Sequence, residues 1–175
     1  MVYHGHNQAV WDVKFSPLGS YFTSCSADKT ANLWILKNNQ PLRIFAGQGG
    51  HLNDVETIEF HPNMHYVATG SSDRQIILWD VSSGDQVRNY QTVPGAVRSL
   101  KFNREGTHLY VGNEVGEIVI FDLIKDIVID VVKSKQSKAI WSIDVSWDDA
   151  VVAIGTESGT IELYSQRKLT QYAGD

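Results

Sequence analysis

At 175 residues, with 42% hydrophobic and 20% charged side chains, the chain is long enough to bury a core and has too ordinary a composition for an intrinsically disordered segment. Its formal net charge of -5 gives no general attraction to phosphates, so direct nucleic-acid binding is not expected. A single cysteine, Cys25, excludes an internal disulfide and reads as a small buried hydrophobe. No apolar run approaches the roughly 18 residues of a membrane span, and Met1 to His6 lacks a secretory signal's basic start and apolar centre. Nucleus is the expected location, with cytoplasm the alternative and no membrane partner.

The first run along the chain, VWDVKF (Val10 to Phe15), returns three times: VETIEF from Val55, VRSLKF from Val97 and IWSIDV from Ile140. The apolar places coincide, and the steps between the last residues are 45, 42 and 43. Counting 19 residues on from each anchor reaches an aromatic every time, at Trp34, Trp79, Phe121 and Tyr164. A fixed period of this length marks a stacked-repeat architecture.

Within each unit, three short β-rich runs are separated by turn residues. In the first unit these are the anchor run, then Tyr21 to Ser24 after Pro17-Leu18-Gly19, then Ala31 to Leu36 after Asp28-Lys29. A fourth run follows in each: Leu42 to Phe45, Gln86 to Tyr90, Ile127 to Val132 and Lys168 to Tyr172. No helical periodicity of useful length is present. The expected fold is therefore all-β, a β-propeller of four four-stranded blades filling one domain, 1–175, with blades at about 1–46, 47–91, 92–133 and 134–175. One blade cannot cover both faces of its sheet, so neighbours must stack radially.

In the first two units the common register aligns His6, Ser24, Asp28 and Trp34 with His51, Thr69, Asp73 and Trp79. This set resembles the hydrogen-bond network of WD repeats, in which a histidine bridges a carboxylate and a hydroxyl and the indole N–H completes it. His, Ser and Asp also make a hydrolase triad, yet the set occurs twice at matching offsets, carries a tryptophan no triad needs, and lacks a Gly-x-Ser-x-Gly elbow. A structural role is expected. In the third unit the four places become Val93, Val111, Val115 and Phe121, which reads as whole exchange of the network for hydrophobic packing; in the fourth they are Gln136, Ile154, Ser158 and Tyr164.

Three other features read as ordinary structure. His61 and His65 flank Pro62-Asn63-Met64 in a predicted hairpin turn with no cysteine or acidic cluster, so no metal is expected. Gly47 to Gly50 lacks the Lys-Ser/Thr of a phosphate cradle and is expected to turn the chain between blades. Lys133, Lys135 and Lys138 read as a solvated loop. One position stands apart: Trp11, Glu56, Arg98 and Trp141 each follow the first apolar anchor. In propellers that place lies near the rim of the central channel, which makes these four the candidate partner-binding rim. Their mixed chemistry supplies no convergent acids or metal ligands, so neither catalysis nor a cofactor is expected.

The double Gly-His … Leu-Trp pattern resembles the WD40-repeat family over essentially the whole chain. Between residues 3 and 90, the stretches YHGHNQAVWDVKFSPLGSYF, QPLRIFAG and FHPNMHYVATGSSDRQIILWDV are more specifically similar to the WD-repeat TBP-associated factors, the TFIID subunit 5 family. That resemblance implies a non-catalytic scaffold in a complex supporting RNA polymerase II transcription initiation, with histone-fold TBP-associated factors among its protein partners. WD40 adaptors of ubiquitin ligases, chromatin readers and, last, propeller enzymes are the alternatives. WD repeats usually close as seven blades, so this chain is expected to form part of a seven-bladed propeller. An open four-blade arc would expose apolar flanks and invite self-association.

Overall fold

Successive side chains along a strand alternate between the two faces of its sheet, and here both faces are apolar, so each sheet needs a neighbour on either side. The computed structural model of the chain describes residues 1–91 and 93–165. Every regular element among them is a β-strand. The first blade contains β1 (Val10–Phe15), β2 (Tyr21–Ser26), β3 (Ala31–Ile35) and β4 (Arg43–Phe45); the second β5 (Val55–Phe60), β6 (Tyr66–Ser71), β7 (Ile76–Asp80) and β8 (Gln86–Tyr90). The third holds β9 (Val97–Phe102), β10 (His108–Asn113), β11 (Glu117–Asp122) and β12 (Ile127–Lys133), and the fourth β13 (Ile140–Val145), β14 (Val151–Thr156) and β15 (Ile161–Ser165). Each blade is an antiparallel meander in sequence order. The run expected at Lys168 to Tyr172 lies outside the described residues.

Both inner turns of every blade contain a left-handed residue at matching positions. Gly19, Met64, Gly106 and Asp149 occupy the first, and Lys29, Arg74, Gly116 and Gly159 the second, with φ between 54° and 81°. The hydrogen bonds of these turns, such as Gly19 N–H to Ser16 C=O (2.8 Å) and Arg74 N–H to Ser71 C=O (3.1 Å), hold even the non-glycine residues in place.

The cores lie between blades. Ala31 and Leu33 of blade one meet Val55, Ile58 and Phe60 of blade two in one buried cluster. Ile76 and Leu78 meet Val97, Leu100 and Phe102 in the next, and Ile118 and Ile120 meet Ile140 and Ile143 in the third. The innermost strands β1, β5, β9 and β13 therefore lie side by side in order. This brings the same position of four repeats to one mouth.

Candidate functional site

The polar set of the first two blades is assembled as follows. His6 Nδ1 lies 2.9 Å from Asp28 Oδ2, its Nε2 2.7 Å from Ser24 Oγ, and Trp34 Nε1 donates to the same Oγ at 2.8 Å. Blade two repeats this: His51 Nδ1 sits 3.1 Å from Asp73 Oδ2, Nε2 2.7 Å from Thr69 Oγ1, and Trp79 Nε1 donates to Thr69 Oγ1 at 2.8 Å. Since an indole can only donate, the hydroxyl accepts from it and turns its own proton to Nε2, which leaves Nδ1–H for the carboxylate. Burial pushes the Asp28 carboxyl up, but hydrogen bonds from Thr30, the Asn7 amide and His6 outweigh it and hold the group below its usual value. Asp73 is likewise pushed up by burial and held lower by His51 and the Leu52 and Gln75 amides. Ser24 and Thr69 are buried and already engaged on both sides, so neither hydroxyl can approach a substrate as a nucleophile would.

The third blade corrects one expectation. Val93, Val111 and Phe121 enter its hydrophobic core, but Val115 is 43% exposed, so the exchange to apolar packing covers three positions and not four. The turn that Asp28 grips in blade one is held instead by Asn113, whose Oδ1 accepts from Val115 N–H (3.1 Å) and Glu117 N–H (2.8 Å). A valine can therefore stand at the aspartate's place without burial. In blade four Ile154 is buried while Gln136 and Ser158 are exposed. The turn there is a hydroxyl cluster, with Thr156 Oγ1 2.7 Å from both Ser158 and Thr160. The Tyr164 hydroxyl donates to Glu162 at 2.5 Å, and burial together with that carboxylate pushes its pKa up to about 12.

At the mouth, a β-bulge interrupts the innermost pair of every blade at the same place. Pairing passes from Val10 to Asp12, Val55 to Thr57, Val97 to Ser99 and Ile140 to Ser142, so Trp11, Glu56, Arg98 and Trp141 are the unpaired residues. A bulge frees one side chain from the alternation of the strand and re-aims it. All four line one cleft of about 320 Å³. They are linked blade to blade: Trp11 Nε1 donates to Asp54 at 3.2 Å, Arg98 pairs with Glu56, and the Arg98 guanidinium lies 5.0 Å from the centre of the Trp141 ring.

Accessibility divides them. Trp11 and Trp141 are 55% and 54% exposed, whereas Glu56 and Arg98 spend most of their surface on each other and on the cleft wall. Burial pushes the Glu56 carboxyl above its usual value although Arg98 opposes it. The exposed chemistry of the mouth is thus two indoles flanking a neutralised ion pair, a surface suited to docking apolar or amphipathic side chains of another protein.

Three residues further along the same innermost strands lies a second set, whose alternation of charge is visible in the sequence. Lys14, Glu59, Lys101 and Asp144 share one register position. Lys101 bridges Glu59 (3.2 Å) and Asp144 (3.3 Å) across three blades. His61 also does more than shape a turn, since its Nε2 donates to the Gly106 carbonyl at 2.8 Å and its ring meets Phe102 edge-on across the second blade junction. His65 is exposed, and no group of three metal-ligating side chains occurs among the described residues.

Comparison with known proteins agrees with this architecture. The family described as "WD domain, G-beta repeat" matches residues 1–34 and 39–80. The chain is similar to transcription initiation factor TFIID subunit 5 of Caenorhabditis elegans, 36% identical over 89% of this chain and 24% of the relative. It is also similar to eukaryotic translation initiation factor 3 subunit I of Meyerozyma guilliermondii (32% identical, 68% of this chain, 34% of the relative) and of Pyricularia oryzae (28%, 93% and 50%). The chain thus spans between a quarter and a half of the length of these relatives. Repeating bulged blades, a paired His–Asp–hydroxyl–Trp set and these similarities identify the chain as a WD40-repeat β-propeller protein.

Proposed function

We propose that this chain is a non-catalytic interaction scaffold of a TFIID-type transcription initiation complex, acting in the nucleus and docking protein subunits, histone-fold TBP-associated factors among them, at the bulge-lined mouth. The observation that carries the docking surface is the pair of half-exposed indoles, Trp11 and Trp141, aimed by equivalent bulges into one cleft. Large aromatics at a concave, partly desolvated site are the residue types that dominate protein interfaces. The assignment to TFIID is supported by similarity to subunit 5 over most of the chain. The acidic balance fits a role in which contacts to promoter DNA fall to other subunits.

A second reading has its own support. Several translation initiation factor 3 subunit I proteins match 68% or more of the chain at 24–32% identity, which favours a cytoplasmic scaffold in translation initiation. Affinity capture of the protein from its own cells, with mass spectrometry, separates the two. Recovery of TBP and TBP-associated factors supports the transcription scaffold. Recovery of translation factor 3 subunits in their place overturns it in favour of the second.

A further inference from the structure

We propose that a peripheral groove at the junction of blades two and three binds an extended segment of a protein partner, one that carries a large apolar side chain between an acidic and a basic neighbour. The groove encloses about 330 Å³ and is separate from the mouth. Leu78, Val87 and Arg88 of blade two line one wall, and Glu105, Leu123 and Ile124 of blade three line the other. Leu78 is buried, whereas Val87 and Ile124 stand 48% and 76% exposed. Both walls belong to blades that have a neighbour on each side within this chain.

The junction of blades one and two carries the same arginine in a different posture. Arg43 and Arg88 hold one register position, each paired with the leucine of its blade's third strand. Arg43 reaches across to blade two and donates to the Ser82 carbonyl through Nε (3.1 Å) and Nη2 (2.9 Å), while its Nη1 donates to the Leu42 carbonyl (2.9 Å). All its nitrogens are spent, and it lies across its junction as a strap. Arg88 stops one residue short of the equivalent carbonyl, that of Ile124. Its Nη1 donates to the Leu123 carbonyl at 2.7 Å, and its Nε and Nη2 have no hydrogen-bond partner among the described residues.

Two side chains account for the difference. Where blade one has Phe45, blade two has Tyr90, whose hydroxyl accepts from Arg88 Nη1 (3.3 Å) and donates to Asp126 (2.8 Å). Asp126 itself lies 3.2 Å from the same Nη1. It stands in blade three where blade two has Gly84, at a left-handed φ of 60° against 83° for the glycine. A side chain is strained there and a glycine is not, and strain of this kind marks a residue that is put to use. Tyr90 and Asp126 together hold the guanidinium back, so the groove stays open with two of the arginine's nitrogens free.

Charge selects the occupant. The free donors of Arg88 suit a carboxylate, which a guanidinium binds through two nitrogens at once. On the opposite wall Glu105 is exposed and makes no ion pair among the described residues, with Arg88 or any other cation, so it suits a basic side chain. The apolar side chains between the two charges suit a large apolar residue.

The test is selection of a displayed library of short random peptides on the full chain, after depletion on the variant Val87→Arg, Ile124→Arg, which fills the groove from two exposed positions. The surviving peptides are expected to share a large apolar residue with an acid on one side and a base on the other. Changing that acid to its amide should weaken binding to wild type by about tenfold and leave binding to Arg88→Ala unchanged. A further variant, Tyr90→Phe with Asp126→Gly, installs the residues of the strapped junction while leaving the six named wall residues in place. It should lower affinity by about tenfold or more and keep the wild-type circular dichroism spectrum. Recovery of no surviving peptides, survivors without the charge pattern, an equal loss from the amide change in Arg88→Ala, or undiminished binding to the strapped variant would each overturn the proposal.

Discussion

Arg98, on the third blade, spreads its guanidinium 5.0 Å above the ring centre of Trp141 on the fourth while pairing with Glu56 on the second. One side chain therefore ties three blades together at the mouth. Burial already disfavours the Glu56 charge, so Arg98→Ala should cost about 1.5 to 3 kcal/mol, in the range for hydrogen bonds to charged groups. The Glu56 carboxyl should also titrate still higher once its cation is gone. Adding Glu56→Gln should cost less than a second independent loss. A denaturant double-mutant cycle checks the coupling, and strictly additive effects would refute it.

Trp79 is buried and donates to the Thr69 hydroxyl at 2.8 Å. Replacement by alanine removes a core aromatic and should cost about 3 to 5 kcal/mol. Replacement by phenylalanine keeps most of the ring but loses the N–H bond, and should cost about 1 kcal/mol plus the smaller ring's packing deficit. Thermal unfolding of the two variants should rank them in that order.

Acid should loosen the first two blades. Asp28 and Asp73 both titrate below their usual value of 3.8. A carboxyl with a lowered folded pKa takes up its proton in the unfolded chain first, so its stabilisation is complete above 3.8 and is lost as pH falls through the lowered folded values. The double variant Asp28→Asn, Asp73→Asn should be less stable at neutral pH and show a shallower loss of stability in that acid range. An unchanged acid limb of the denaturation profile would contradict this.

A small residue stands at one matched position of the second strand in every blade: Cys25, Gly70, Gly112 and Gly155. A Cβ on Gly70 would collide with Val97 of the next blade and with Thr57, and one on Gly112 with Ile140 and Ser99. Gly70→Ala and Gly112→Ala should each cost about 1 to 3 kcal/mol through overpacking at a blade junction, measurable by urea unfolding.

Cys25 fills the same position in blade one and is fully buried. Burial pushes its thiol well above the ordinary range, with the Asp12 charge adding to the effect. Thiolate, the reactive form, is therefore scarce in the folded protein. Alkylation of the native chain at mildly alkaline pH should proceed only as fast as unfolding, and rapid labelling without denaturant would show that the blade-one junction is open.

The blade plan was legible because the anchor runs, from Val10, Val55, Val97 and Ile140, keep one register against an aromatic 19 residues on. The order of the repeats along the chain is also their order in space. The bulges were not legible, because an inserted residue leaves no mark in a strand that alternates imperfectly. Only the recurrence of unlike side chains, Trp11, Glu56, Arg98 and Trp141, hinted that this place escapes the pleat. Their unequal exposure depends on partners a whole blade's worth of sequence apart, such as Glu56 for Arg98. The exposed Val115 shows the limit of reading residue type as burial: Asn113, two residues earlier, holds the turn that the missing aspartate would have held.

The central claim is that proteins dock at the mouth through its two exposed indoles. The most direct measurement compares the protein subunits captured by wild type with those captured by the double variant Trp11→Ala, Trp141→Ala, alongside thermal unfolding of both. Loss of the captured subunits by about tenfold or more, as expected of interface anchors worth at least 1.4 kcal/mol, with little change in unfolding temperature, is the predicted result. Equal recovery of the same subunits by the two proteins would place the docking surface elsewhere on the blades and contradict the account.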